Sequence, residues 1–447
     1  MLKVADIPAV YVQDNGTGDK RMSKYYFLIT VYLIAVLSSS IANWLSIDVQ
    51  NLLRIPFINL RLIDLAVFYI VIDFLYNLIT NTQKLANKKF LTILCSLYLL
   101  FESVQLARSF GLIDTSSQIS LFVATLCMFI VIDLLTFPLK LSVIMDFIEK
   151  FAIASAVITM LSNFYLLYAF FTGRVVFTDL DVRVAIEVIG SKESIYSFIL
   201  TSFVYAFGLL YIQGKGPVLI KLLFGLAILS IFGAMVIQIF RGVLLMIVMI
   251  TFYFIFFSAT IKQTIYKAAG FLFFMVAGYA LFGSTLASKG YDPVDKIVEV
   301  FEFSVDVDDP NWDKGRAEAQ NYSRRAWLEN FWIGAGYDNV GNYGAPDDVL
   351  NPHNGIIQSL FHRGVIGTSI LLLIIGLLFY YAMRLWFMLR SNSTYESEVV
   401  KVLVLVSFLW VITFMTEEAL WEKYSLSIEF LFLGLIANLY KQQVAYK

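Results

Sequence analysis

Charge is scarce in this sequence. Only 15% of its 447 residues are Asp, Glu, Lys or Arg, and 33 basic residues against 34 acidic ones leave a net charge of −1. Soluble globular chains carry about 25% charged residues. The shortage excludes a disordered chain and a basic nucleic-acid coat, so no nucleic-acid partner is expected. Cysteine is scarcer still. Cys95 and Cys127 both sit in apolar runs, so at most one disulfide could form, and both read as packing residues. No P-loop, CxxC, HExxH or GxSxG element occurs, and no internal repeat, which weighs against an inverted-repeat transporter. What the chain has instead is apolar length. It is 59% apolar, with a mean hydropathy of +0.75. Repeated apolar runs of about 18 residues or more mean membrane helices.

Twelve spans are expected, at 25–45, 62–80, 90–107, 119–138, 148–171, 194–212, 218–237, 243–260, 266–287, 365–387, 402–416 and 425–440. The polar stretch Met1–Lys24 has no signal-peptide pattern, so the first span should remain as an anchor. Eighteen basic residues then fall on one side. Fifteen fall on the other, seven of them in the long segment Ala287–Arg363, which translocates regardless of charge. Eighteen against eight puts both termini in the cytoplasm and the long segment outside. The expected organisation is a cytoplasmic tail (1–24), nine spans (25–287), an outward segment (288–364), and three spans with a short cytoplasmic end (365–447). Nearly eighty residues without a span is too long for a connector, so this segment is where function is sought.

Asn351-Pro352-His353-Asn354 reads as a helix start, with Asn351 as cap and Pro352 as first helical residue. His353 and Asn354 would then lie in the first turn, among free N–H groups that attract anions. That field disfavours protonation of His353 and leaves a neutral imidazole able to act as a base. The competing reading is a polar helix start with an incidental histidine. The helix from Pro352 to Met388 is too long for one crossing, so its first turns stand clear of the bilayer or it bends at Gly364 and Gly367. Ordinary close packing is the other use for those glycines.

A second helix is expected from an Asp313 cap to about Phe331. On it Arg316, Gln320, Ser323 and Trp327 share a face, Arg324 lies about 80° away and Arg325 nearly opposite. Arg241 opens an apolar span, where a charge is costly and marks a site unless it snorkels. Asp306-Val307-Asp308-Asp309 reads as a solvated loop rather than a metal site, and Glu417 and Glu418 as capping or ion-pair residues. Arg61, Asp64, Asp73, Glu102 and Asp133 lie in or at the edges of spans and could pair across helices.

His353-Asn354, nine residues, Gly364, two residues, Gly367 resembles the H-N-x9-G-x-x-G signature of the bacterial O-antigen ligase and polysaccharide polymerase family. Gly315-Arg316, the stretch Glu329–Gly336 with Gly334 and Gly336, and Arg241-Gly242 resemble further elements of that family. Phe331, Gln320 and Phe240 depart from its usual residues. The resemblance implies an all-α, GT-C-like membrane glycosyltransferase of the bacterial inner membrane. It would take a polyprenyl-pyrophosphate-linked oligosaccharide as donor, and a glycan or lipopolysaccharide core as acceptor. Membrane lipid, a chain-length regulator and a flippase are the implied partners. In this reading His353 activates the acceptor for inverting attack, while Arg241, Arg316, Arg324 and Asn354 hold the pyrophosphate; no metal or other cofactor is expected. Polymerase is the leaning, with ligase the alternative. A polysaccharide flippase, which needs no long outward segment, and a metal-dependent lipid-linked sugar transferase, which needs acids in early outer loops, are the rivals. Turnover in EDTA separates them from this reading.

Overall fold

A computed structural model describes residues 17–45, 61–80, 90–109, 115–172, 175–178, 181–186, 193–214, 217–237, 241–256, 314–337, 354–390, 394–416 and 423–445, with isolated positions at 269, 270, 273, 276, 280 and 392. The described helices, in chain order, are α1 (Thr17–Leu45), α2 (Leu62–Thr80), α3 (Phe90–Arg108), α4 (Thr115–Leu126), α5 (Met128–Thr136), α6 (Leu141–Phe171), α7 (Glu193–Gln213), α8 (Val218–Ile237), α9 (Arg241–Phe256), α10 (Lys314–Glu329), α11 (Gly355–Leu389), α12 (Tyr395–Thr416) and α13 (Lys423–Ala445).

Most of these helices are apolar on every side; α10, rich in charged and polar residues, is the exception. On α8, Phe224, Ala227, Ile228 and Ile231 face the core, while Val218, Leu222, Leu226 and Leu229 point outward at helical spacing. A helix that is hydrophobic all round belongs in lipid. α2, α3 and α11 are each long and apolar enough to cross a bilayer by length and composition. The chain is thus a helical, multi-pass membrane protein. Expected spans and helices coincide closely at α2, α3, α7 and α8, the fourth span is divided at Cys127, and the ninth lies almost wholly outside the described residues. α1 begins at Thr17, so Lys20, Arg21 and Lys24 are helical rather than part of a tail. A short antiparallel hairpin, β1 (Val175–Thr178) with β2 (Asp181–Ile186), follows α6 and adds to the helical reading; Val175 pairs with Ile186 and Phe177 with Val184.

Aromatic rings fill the centre. Phe203 stacks on Phe207 at 4.3 Å and lies 4.7 Å from Phe151, with Phe432 and Trp410 closing the cluster. The one polar atom of Trp410 is satisfied, because its indole N–H donates to Ser202 Oγ at 2.8 Å. Cys95 and Cys127 are buried and form no disulfide, as packing residues should be.

Several charges within the described helices are paired. Lys24 Nζ lies 2.5 Å from Asp73 and 2.8 Å from Asp133, tying α1 to α2 and α5, and the Tyr25 hydroxyl donates to Asp133. Asp64 instead accepts from the Arg61 backbone N–H at 2.7 Å and caps its own helix. Glu102, on α3, pairs with Arg363 on α11. α11 packs against α3, α10, α12 and α13, and so sits at the junction that builds the site.

Candidate active site

α11 does not begin where the sequence pattern suggested. Asn354 is the cap, with extended backbone (φ −146°, ψ 109°), and its Oδ1 accepts from the N–H groups of Ile356 and Ile357 at 3.1 Å. The expectation that Asn351 caps the helix and Asn354 sits in its first turn is corrected accordingly. Residues 351–353 lie outside the described residues, His353 among them. Asn also outranks most residues as a cap, and position 354 offers it the same bond as position 351 would, so the sequence alone could not choose between them.

The bend expected near Gly364 and Gly367 is at Gly364, which has φ 62° and ψ −167° in the middle of α11. A continuous helix would bond Val365 N–H to Phe361 O and Ile366 N–H to His362 O. Both bonds are replaced. Val365 N donates to Phe331 O and Ile366 N to Trp332 O, each at 3.0 Å. The freed carbonyls of Phe361 and His362 accept from Ala335 N (2.8 Å) and Gly336 N (3.1 Å). The stretch after α10 is therefore spliced into the gap, and it meets these four freed backbone groups.

Glycine is required at the crossing. Gly334 (φ 73°) and Gly336 (φ 79°) are left-handed, and a Cβ at Gly334 or Gly364 would run into the other's backbone. Gly367 makes room for the Phe101 ring of α3. Of the four motif glycines, Gly334 and Gly364 meet directly, Gly336 abuts Ser109 and Gly367 abuts Phe101.

α3 secures the splice. Gln105 donates to Ile333 O, Arg108 reaches Gly334 O at 3.3 Å, and Ser109 Oγ accepts from Tyr337 N at 2.6 Å. Below it lies a buried polar knot. The Tyr337 hydroxyl donates to Glu102, the Arg363 guanidinium pairs with the same carboxylate, and Arg363 also sits 5.7 Å from the Tyr98 ring centroid. His362, whose Nδ1 bonds Gly336 O at 2.7 Å, packs between Phe361 and Tyr337. It is part of the scaffold.

α10 runs as expected over Lys314–Glu329. Ser323 and Ala326 are buried and Trp327 stacks on Phe331 at 5.4 Å, so the face that carries Ser323, Ala326 and Trp327 turns inward. Arg324 and Arg325 are exposed, and Arg325 lies over the Tyr322 ring. Arg241 is the first residue of α9. The backbone is described at Arg241 and Arg316, and their side chains lie outside the described residues. Among the described residues, no three His, Cys, Asp or Glu side chains gather to hold a metal ion.

Arg363, Tyr337 and Gln105 were missed by sequence reasoning. The available signal was Glu102, an acid in an apolar run that needs a counter-charge, and Arg363, an arginine adjoining the bend glycine.

The residues of this splice and of the helix start lie in one stretch of chain. The O-antigen ligase family model matches residues 225–372. The matched stretch, about a third of the chain, holds Arg241, Arg316, Arg324, Gly334, Gly336, His353, Asn354, Gly364 and Gly367. It bears out the resemblance carried by the motif residues and points to membrane glycan handling of the O-antigen ligase and polymerase type. The α3 residues that secure the splice lie outside the matched stretch. A comparison with curated proteins found no match.

Proposed function

We propose that this protein is an inner-membrane glycan transferase acting on the outer face. It would use a polyprenyl-pyrophosphate-linked oligosaccharide as donor, and both termini would lie in the cytoplasm. The observation that carries this reading is the family match over Arg241–Gly367 together with the glycine splice inside it. The splice ends the spanning arm of α11 at Gly364. Val365–Leu389 is about 37 Å long, enough for a bilayer core of about 30 Å, and in this reading Gly355–Arg363 and the preceding His353 belong to the outward segment.

In this reading His353 takes the proton of the acceptor hydroxyl as its oxygen attacks the donor anomeric carbon. The new C–O bond forms with inversion, and the bond to pyrophosphate breaks. Arg241 and Arg316 neutralise the departing polyprenyl pyrophosphate with planar, bidentate guanidinium groups. Arg324, exposed on the flank of α10, is a secondary contact, and the N–H groups of the α11 start add positive field. Asn354 acts through the cap: its Oδ1 is committed to Ile356 and Ile357.

Elongation of a lipid-linked polysaccharide remains the first reading. Ligation to lipopolysaccharide core is the second, favoured by the description of the matching family. Membranes from a host lacking the gene, supplied with this protein and lipid-linked glycan in EDTA, test both. A ladder on the carrier lipid supports the polymerase, product on lipopolysaccharide core supports the ligase, and no glycan transfer with protein present contradicts the proposal.

A further inference from the structure

α10 ends in an exposed apolar patch. Leu328, in its last turn, and Phe331, Trp332 and Ile333, in the turn that follows, are all exposed, Trp332 to 64%. Phe331 and Trp332 meet edge to face at 5.1 Å. Single apolar residues on a surface need no partner, but a contiguous group built around two aromatic rings marks a contact surface.

Its backbone fixes the level at which the patch lies. On α3 an exposed apolar stripe, Phe90, Ile93, Leu97, Leu100 and Val104, runs at helical spacing, as on a helix that faces lipid. The stripe stops at Val104, and the exposed Arg108 follows one turn later. Gln105, next to Val104, donates to Ile333 O. On α11, Val365 and Ile366 open the spanning arm and donate to Phe331 O and Trp332 O, and the Ile366 side chain is exposed. The turn is thus tied to one end of each of two spanning helices, at the level where their exposed apolar surface stops and charge begins. Arg324 and Arg325 are exposed on the turn of α10 before Leu328, against one exposed acid, Glu329.

Phospholipid suits this patch better than a soluble ligand. Leu328 and Ile333 are aliphatic and offer no ring for a sugar to stack on, whereas acyl chains pack on aliphatic and aromatic side chains alike. Trp is favoured at the bilayer boundary, where its ring meets apolar chains and its N–H meets water or headgroups. Apolar side chains next to exposed arginines match the two layers of a lipid surface, acyl chain and phosphate. We infer that the end of α10 and the turn Phe331–Ile333 dock on the bilayer surface, with Trp332 among the outermost acyl carbons and Arg324 and Arg325 at the headgroup phosphates. The contact sets the height of α10 and of the Gly334–Gly364 crossing against the membrane. It requires only a chain that spans a bilayer, so it stands or falls apart from the proposed transfer reaction.

The test places a thiol-specific nitroxide at single positions of the full chain in nanodiscs of phosphatidylethanolamine and phosphatidylglycerol. Trp332→Cys and Ile333→Cys probe the patch, Leu100→Cys is the reference for lipid, and Arg325→Cys is the reference for the polar side. Cys95 and Cys127 are buried, and wild type carried through the labelling gives their background. Spin relaxation by oxygen, which concentrates in lipid, is compared with relaxation by a water-soluble nickel chelate. The oxygen-to-nickel ratio at Trp332→Cys and Ile333→Cys should be several-fold above that at Arg325→Cys and approach that at Leu100→Cys. A ratio at either site equal to that at Arg325→Cys would show a patch open to water, as a glycan-stacking surface is, and would overturn the inference. Protection from both reagents would show protein over the patch, from this chain or a second copy, and would also overturn it. Two probe sites keep the test decisive where one variant inserts poorly.

Discussion

Gly334 and Gly364 cross backbone to backbone, thirty positions apart in the chain, with no room for a Cβ on either. Gly364 also holds φ 62° and ψ −167°, a conformation open essentially to glycine alone. Gly364→Ala should therefore cost the backbone strain of about 1–3 kcal/mol and the clash with Gly334 in addition. Gly376→Ala, later in the same helix, meets nothing within 4 Å and should be neutral or slightly stabilising. Thermal midpoints in detergent compare the two, and equal midpoints would remove the crossing as a structural requirement.

The knot beneath the crossing makes a second prediction. Glu102 and Arg363 are buried together, so Glu102→Gln leaves a guanidinium without its counter-charge and should destabilise by about 3–5 kcal/mol. Adding Arg363→Met removes the stranded charge, and the double variant should be more stable than the single. A double variant less stable than Glu102→Gln would mean that the arginine is held by other partners.

Much of this was legible from the residues. Long apolar runs gave the spans because lipid demands them. H-N-x9-G-x-x-G gave the bend because only glycine tolerates such a crossing. The partner of the bend was not legible. The bonds that Val365 and Ile366 make to Phe331 and Trp332 use backbone atoms, which every residue type carries alike. Glu102 was visible as an acid in a span, but its choice of Arg363 depends on how α3 packs against α11, and no local pattern encodes that. The cap moved from Asn351 to Asn354 because both positions carry the same good capping residue.

In the proposed reading His362 lies on the arm of α11 outside the bilayer. Burial, reinforced by the neighbouring Arg363 charge, pushes its imidazole down to about 3. The unfolded chain titrates near 6.5. Because the folded value is the lower one, the contribution of neutral His362 is complete above pH 6.5. It is lost as pH falls from there towards 3, by at most about 1.4 kcal/mol per pH unit. Thermal midpoints between pH 7.5 and pH 4.5 should fall for wild type. His362→Asn can keep a donor near Gly336 O without titrating, and should show a shallower fall. Parallel curves would assign the acid sensitivity to other groups.

The arginines of α10 differ by face. Arg316→Lys keeps charge but loses the planar fork and should cut activity at least about ten-fold. The same change at Arg325, exposed and lying over Tyr322, should be nearly silent. Equal tolerance at both positions would contradict the assignment of the inward face to the pyrophosphate.

The most direct measurement is the transfer rate of His353→Ala in membranes supplied with lipid-linked glycan, at matched protein level. The substitution leaves the Asn354 cap and the Gly364 splice intact, so insertion should be unchanged. Loss of a general base should lower the rate by about 10²–10⁴. Product formed by His353→Ala at the wild-type rate would contradict the account.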